Sequence, residues 1–186
     1  MKRGSVRKQT FDMRQLIARL GIQLGMKANA KGLYLDISCA ESMPRYVKGD
    51  LQKLHDIISR LGNSSLENTE RGGLTIRVET QEILEAQDCW LEISLTDTSS
   101  GLIHDRIEDI LTEQLQPISQ GRSFLKQPQH LGGHLLADSM EIIVSGRSVP
   151  GWGALYLVQV RFPVEVPSLR LFEGHHTFRE AVAGLQ

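Results

Sequence analysis

Hydrophobic positions along the chain recur with two different periods, one typical of helices and one of strands. Between Phe11 and Gly32, apolar residues recur every three or four positions, which predicts a helix that the glycine ends. A second helix is predicted from Asp50 to Asn68, with its apolar residues along one face. These residues are Leu51, Leu54, Ile57, Ile58 and Leu61.

Five further segments alternate between apolar and polar residues, as half-buried β-strands do. They span residues 33–37, 74–78, 88–97, 141–145 and 154–160. Gly72-Gly73 predicts a turn between the second helix and the second strand. Short connections, 81–87 and 150–153, predict that the second and third strands form one hairpin and the last two strands another.

The remaining segments carry weaker patterns. Residues 103–115 have a helical pattern, and residues 133–140 could form two turns of helix. Residues 118–132 are polar and interrupted by Gly and Pro, which predicts a loop. Helices early and hairpins late predict an α+β fold: a two-layer α/β sandwich with a mixed, mostly antiparallel five-stranded sheet and about three helices on one face.

Composition is consistent with one domain that has a substantial core, since the chain has 186 residues. We expect a basic leader or linker at 1–10, a domain at 11–163, and a tail or linker to a further domain at 164–186. The net charge is −1, with 21 basic and 22 acidic residues, so no overall field favours nucleic acid or a membrane surface. Cys39 and Cys89 both lie in apolar segments and are expected to be reduced core thiols.

Four short segments resemble the motifs of the ATP-binding domain of sensor histidine kinases, in the order and at the spacing found in that family. They are FDMRQLI at 11–17, VKGD at 47–50, LTDTSSGL at 95–102 and PGWGALY at 150–156. The second predicted helix also resembles the N-box helix of the GHKL (HATPase) ATPases. The resemblance covers residues 11–163 and implies the Bergerat (GHKL) fold, in a hybrid sensor kinase or another phosphorelay protein.

The resemblance also implies roles for individual residues. In this family an aspartate accepts a hydrogen bond from the adenine amino group, glycines let the backbone approach the nucleotide, and an asparagine ligates the Mg²⁺ that bridges the phosphates. By position, these roles fall to Asp97 and Gly101, with Ser64 at the Mg²⁺ position. Asn63 is the other candidate ligand, if the helix were locally shifted. The second glycine-rich segment falls at Gly132 and Gly133.

Several residues depart from the family pattern, and each departure removes or alters an expected nucleotide contact. Glu67 stands where the family has a basic residue, and a carboxylate there would repel a triphosphate. Ser99 replaces a glycine, Ala154 replaces the usual Ser or Thr, and the second glycine-rich segment lacks G-x-G. Arg60 occupies the first polar position of the N-box, where phosphate contact and simple solvation are both open.

The expected function is therefore a degenerate, pseudokinase-like ATP-binding domain of a two-component protein, which acts as a signalling scaffold with weak or no ATP binding and is inactive on its own. No catalytic residue and no cofactor are assigned to it. The alternative is a functional catalytic domain that uses Mg-ATP and transfers the γ-phosphoryl group to a histidine on a separate dimerisation domain.

The partners and the location are expectations of the same resemblance. The partners are dimerisation and phosphoacceptor helices and a receiver or phosphotransfer domain, without nucleic acid or direct membrane contact. The expected location is the cytoplasm, including the cytoplasmic part of an inner-membrane sensor protein. No apolar run approaches the roughly 18 residues of a membrane span, so any anchor would lie outside this sequence.

Overall fold

A computed structural model describes residues 9–84, 88–101, 123–127, 130–137 and 140–163. The two helices in this part of the chain are α1, Met13–Ala30, and α2, Leu51–Asn68. The strands are β1 Gln9–Asp12, β2 Tyr34–Cys39, β3 Tyr46–Gly49, β4 Gly73–Leu84, β5 Asp88–Asp97, β6 Ser123–Gln127, β7 His130–Ala137, β8 Met140–Val149 and β9 Gly153–Pro163.

Both helices begin at an aspartate that caps them. The Asp12 side chain accepts from the backbone N–H groups of Arg14 and Gln15, and the Asp50 side chain accepts from that of Lys53. These bonds satisfy N–H groups that have no partner within the helix. The predicted start and end of α2 are confirmed.

The main sheet has seven strands in the order β2-β4-β5-β9-β8-β7-β6. The pair β2–β4 is parallel, and the other pairs are antiparallel. The five predicted strands are the first five of this order, and both predicted hairpins are present. The α+β fold class is therefore confirmed, with a five-stranded mixed sheet that two more strands extend.

Residues 123–140 differ from the prediction. The loop predicted at 118–132 includes β6 and the start of β7, and the helix predicted at 133–140 is strand in β7 and the first residue of β8. β7 pairs with its neighbours in sequence, β6 and β8, but its two adjacent glycines break the apolar–polar alternation that indicates a strand. The helix predicted at 103–115 lies outside the described residues.

Two shorter predictions also need adjustment. β4 continues to Leu84, so the second strand includes residues 81–84 of the predicted connection. β1 pairs with β3 from Gln9 onward, so the last two residues of the predicted leader belong to a strand. No helix in the described part of the chain is long and apolar enough to cross a membrane.

The core lies between the two helices and one face of the sheet. Its fully buried residues include Leu16, Leu20 and Leu24 of α1, Leu54, Ile58 and Leu61 of α2, and Leu74, Ile76, Leu91, Leu95, Val158 and Val160 of the sheet. α2 packs against β4, β5 and β9. Cys89 is a buried core thiol as expected, but Cys39 is exposed on the edge strand β2.

Candidate functional site

Asp97, the last residue of β5, is a buried carboxylate whose two oxygens have different environments. Its side chain is only 2% exposed. Oδ1 accepts hydrogen bonds from the backbone N–H groups of Ser99, at 3.1 Å, and Ala154, at 2.9 Å. Oδ2 is buried and accepts no hydrogen bond from any described residue. A fixed, buried acceptor without a partner is a feature of ligand-binding sites, because burial without a hydrogen bond is otherwise unfavourable.

The segment that follows Asp97 lies against the β8–β9 turn. The N–H of Gly151 donates to the carbonyl of Ser100 at 2.6 Å. Gly101 has a φ of +85°, and a Cβ at this position would lie 2.5 Å from the carbonyl oxygen of Val149. Only a glycine fits there without displacing the turn.

Gly153 makes the same kind of close approach on the other side of Asp97. Its φ is +110°, and a Cβ there would lie 2.1 Å from the Asp97 carbonyl oxygen. Ser99 is buried, and its hydroxyl accepts from the N–H of Gly101. The structure thus brings together Asp97, Ser99, Gly101 and Ala154, four of the residues that the sequence singled out.

The C-terminal half of α2 carries the other predicted residues, two of which contact α1. Lys27 of α1 donates from Nζ to Oδ1 of Asn63 at 3.2 Å and to Oε1 of Glu67 at 2.6 Å. Nδ2 of Asn63 donates to Oγ of Ser59 at 3.4 Å. Asn63 and Glu67 are therefore held towards α1 in this structure.

Ser64 and Arg60 lie on a neighbouring stripe of α2. They are four residues apart, which places them on one face of the helix. Ser64 follows Asn63 directly, so their side chains point about 100° apart around the helix axis. Ser64 is half-buried and Arg60 is exposed. The carbonyl of Ser64 accepts from Nδ2 of Asn68 at 2.7 Å, beside the end of the helix.

Gly132 and Gly133 lie in β7 and are not brought to Asp97. Gly132 pairs with Leu125 and Ser145, and Gly133 pairs with Phe124 and Val144. Two strands, β8 and β9, separate β7 from β5. Both glycines therefore lie within a strand that is paired on both sides.

Two further buried polar residues, Tyr156 and Ser65, were not selected from the sequence. Tyr156 is fully buried, and its hydroxyl has no hydrogen-bond partner among the described residues. Burial raises the pKa of Tyr156, and the Asp97 carboxylate adds to this effect. The Ser65 hydroxyl on α2 is also buried and without a described partner. The sequence held a signal for Tyr156, because the closing motif of the family has Phe at this position.

Metal ligands are not clustered in the described part of the chain. No group of three or more His, Cys, Asp or Glu residues there lies close enough together to hold a metal ion. The Mg²⁺ ligand expected from the resemblance is Ser64 or Asn63. The hydrogen bonds described above bring no carboxylate beside either residue that could complete a metal site.

Sequence comparison finds relatives among histidine kinases, although no established family profile matches the chain. The chain is 23% identical over 159 residues to hybrid signal transduction histidine kinase F of Dictyostelium discoideum. The aligned segment covers 82% of this chain and 14% of that protein. The chain is 36% identical over 98 residues to histidine kinase 2 of Arabidopsis thaliana, which covers 49% of this chain and 8% of that protein. The chain thus spans only a small part of the length of either relative.

Structural comparison finds the same fold in solved proteins. The crystal structure of full-length ShkA in complex with AMPPNP matches with a TM-score of 0.57 and 15% identity, over 89% of this chain and 33% of that chain. The nucleotide-free catalytic domain of the histidine kinase ThkA matches with a TM-score of 0.50 and 9% identity, over 85% of this chain and 96% of that one. The described fold is therefore that of a histidine kinase catalytic domain.

Proposed function

We propose that this chain, which has the fold of a histidine kinase catalytic domain, is a degenerate, pseudokinase-like ATP-binding domain that binds Mg-ATP weakly or not at all and acts as a signalling scaffold. The proposal rests on a difference between the two ends of the site, namely the Asp97 end and the C-terminal half of α2. The Asp97 end keeps a fixed, buried acceptor. At the α2 end, Glu67 replaces the family's basic residue, and Lys27 engages the oxygen of one candidate Mg²⁺ ligand, Asn63.

The contact between Lys27 and Glu67 is the observation that carries the proposal. Glu67 stands at the position of the family's basic residue, and its carboxylate lies 2.6 Å from the Lys27 ammonium. The same ammonium donates to Asn63, whose carbonyl oxygen a metal ion would need. Lys27 therefore neutralises an acidic residue and occupies a candidate metal ligand.

The size of the charge effect supports weak binding. The Glu67 side chain is 64% exposed, so solvent screens it strongly. Even in bulk water, two unit charges 4 Å apart interact by about 1 kcal/mol. Because Lys27 neutralises Glu67, the site loses mainly the attraction of the family's cation, which at that distance is worth about 1 kcal/mol, or roughly a fivefold loss of affinity.

As a scaffold, the domain would contact the dimerisation and phosphoacceptor helices of a two-component protein and a receiver or phosphotransfer domain. We propose a cytoplasmic location for it, including the cytoplasmic part of a membrane-anchored sensor. The similarity to two histidine kinases, one of them a hybrid kinase, supports these partners as a class.

The second candidate function is a working catalytic domain that transfers the γ-phosphoryl group of Mg-ATP to a histidine on another domain. One observation favours it, namely the buried and unpartnered Oδ2 of Asp97. A protein that had lost all nucleotide binding would have no reason to retain this unfavourable group. In this function Asp97 and Gly101 would contact the nucleotide, and Ser64 or Asn63 would ligate Mg²⁺.

Replacing Ser64 and Glu67 by the residues usual in the family, and measuring nucleotide affinity, distinguishes the two candidate functions. We expect the double variant Ser64→Asn with Glu67→Lys to gain at least tenfold in Mg²⁺-dependent affinity for a non-hydrolysable ATP analogue, measured by calorimetry. Glu67→Gln is the matched control, because it removes the charge without supplying a cation. Micromolar Mg²⁺-dependent binding by the unmodified domain would instead support the catalytic function.

A further inference from the structure

The exposed side of α1 carries an apolar ridge that no described residue covers. Ala18, Ile22 and Met26 follow one another at intervals of four residues, so they form one row along the helix. All three are exposed, and the exposed fractions of Ile22 and Met26 are 68% and 72%. Single exposed apolar residues are common on proteins, but two large ones a single turn apart on a helix indicate an interaction surface.

The row of residues beside this ridge has no side chains that would obstruct a partner. It contains Gly21 and Gly25, both half-buried. A Cβ at Gly25 would lie 3.7 Å from Cδ2 of Leu35, which is an ordinary contact, so the fold itself has room for alanine there. Glycine within a helix is less stable than alanine. A partner that approaches this row closely would account for the glycine at position 25.

The apolar surface continues from α1 onto the edge strand β2. Leu35 and Ile37 of β2 are half-buried and pack against the core. A Cβ at Gly21 would lie 3.2 Å from Cδ1 of Ile37, so this side chain reaches the row of glycines. The low glycine row therefore lies between the ridge and the β2 side chains. This shape fits a second helix whose own ridge of side chains packs into the low row.

The exposed charges around the ridge are basic. Arg14 lies in the same row, one turn before Ala18, and Arg19 flanks the ridge; both are exposed. Neither guanidinium forms an ion pair with a described residue. α1 contains no acidic residue, and Lys27 and Lys31 are turned towards α2, where they donate to its oxygen atoms. Pairing of two α1 helices would therefore bring like charges together, whereas an acidic partner would be attracted.

We propose that this face of α1 docks an amphipathic helix of a partner protein. The apolar stripe of that helix packs against Ile22 and Met26, and acidic residues beside the stripe pair with the two arginines. The row from Arg14 to Ala30 is about 24 Å long, which is the length of a helix of about four turns. The inference rests on the proposed function in one respect, namely that the domain acts through a protein partner, and it does not depend on the loss of ATP binding.

An anionic membrane surface is a less suitable occupant of this face. Segments that bind such membranes carry clusters of about four to eight basic residues, whereas the exposed basic residues described here are Arg14 and Arg19. The charge therefore favours an acidic helix, which needs only a few matched pairs beside its apolar stripe.

Synthetic helical peptides test the proposed chemistry of the partner. The first has about 20 residues, enough for a stable helix, with leucines at helical spacing and glutamates beside them. The second is identical except that lysines replace the glutamates. We expect the acidic peptide to bind the intact chain saturably, with a Kd of about 100 µM or below by fluorescence anisotropy, and the basic peptide to bind at least tenfold more weakly.

Variants of the chain locate the binding face. Ile22→Gln combined with Met26→Gln should weaken binding of the acidic peptide at least tenfold and leave the unfolding midpoint unchanged, because both side chains are exposed. Arg14→Gln combined with Arg19→Gln should weaken it at least fivefold and reduce its dependence on salt. Trp152→Gln is the matched control, since it removes an apolar side chain that is 85% exposed on the β8–β9 turn, and it should leave the affinity unchanged.

Gly25→Ala separates docking from folding. The added methyl group should raise the unfolding midpoint by about 2–4 °C, because alanine favours the helix. The same methyl group should weaken binding of the acidic peptide at least threefold, because it fills the low row into which the partner packs.

Three results would overturn the inference. They are no saturable binding of the acidic peptide at millimolar concentration, an affinity that the Ile22 and Met26 variant leaves unchanged, and a loss of stability in that variant, which would show that the chain itself covers this face. Equal binding of the basic peptide, binding of anionic lipid vesicles in place of the acidic peptide, or a dimer of the chain that the same variant dissociates would also contradict an acidic partner helix.

This inference and the scaffold proposal fail in distinguishable ways. Failure of the peptides to bind would remove this docking face and leave the scaffold proposal to the nucleotide titrations. Tight Mg²⁺-dependent binding of an ATP analogue would overturn the scaffold proposal, but the peptide titrations would still decide whether α1 docks a helix.

Discussion

The two oxygens of Asp97 perform separate tasks. Oδ1 links the end of β5 to the β9 backbone and to the N–H of Ser99, so it holds the carboxylate in one orientation. Oδ2 is left as a buried acceptor. The structural bonds thus preorganise the free oxygen, which lowers the entropic cost of binding a donor there.

The hydroxyl of Tyr156 has a predictable effect on stability. Because it is buried without a described partner, its removal relieves a desolvation penalty of about 1–3 kcal/mol. We expect Tyr156→Phe to raise the free energy of unfolding in urea by about 1 kcal/mol. Tyr34→Phe, which removes a hydroxyl from a half-exposed side chain on β2, should change it by less than about 0.5 kcal/mol. A loss of stability in Tyr156→Phe would instead indicate that the hydroxyl has a structural partner.

At the level of elements, the β8–β9 turn supports the site through two glycines with positive φ. Gly151 has a φ of +81° and nothing near its missing Cβ, whereas Gly153 would place a Cβ against the Asp97 carbonyl. A side chain would therefore be strained at either position, and only at Gly153 would it also clash with β5.

This difference gives a matched pair of variants. We expect Gly151→Ala to cost about 1–2 kcal/mol of stability through its left-handed backbone alone. Gly153→Ala should cost at least about 3 kcal/mol, because β5 and β9 must also separate. Equal losses in chemical denaturation would show that the strands tolerate the extra methyl group.

Elements with a regular local pattern were predictable from the sequence, whereas an element with an interrupted pattern was not. The α2 helix has a capping aspartate, an apolar face and a glycine turn after it, so its boundaries were predictable. β7 pairs with its sequence neighbours β6 and β8, but its two adjacent glycines interrupt the strand pattern, so it was missed. The site has a different limit: Lys27 and Asn63 are 36 residues apart, and no spacing pattern indicates their contact.

Across the whole molecule, the two cysteines differ in their depth within the sheet. Cys39 lies on the edge strand β2 and is exposed, whereas Cys89 lies on the interior strand β5 and is buried. Burial raises the pKa of Cys89 to about 11, so its reactive thiolate is scarce at neutral pH.

Thiol labelling therefore reports local access and global unfolding separately. We expect one equivalent of a thiol reagent to react with the native protein at pH 8, at Cys39, and the second only in denaturant. Cys39→Ser should abolish the first phase and keep the second. Rapid native labelling of Cys89 would contradict a tightly paired centre of the sheet, because access to β5 requires the sheet to open.

The proposed function makes one central claim, that the domain keeps the Asp97 end of its site and has lost the phosphate end. Its most direct test is thermal unfolding of the intact chain with a millimolar non-hydrolysable ATP analogue, once with Mg²⁺ and once with a chelator. A ligand at 100 times its dissociation constant adds about 2.7 kcal/mol of stability, so a working site would be evident. We predict the same unfolding midpoint with and without Mg²⁺; a saturable, Mg²⁺-dependent increase that Asp97→Asn abolishes would contradict the claim.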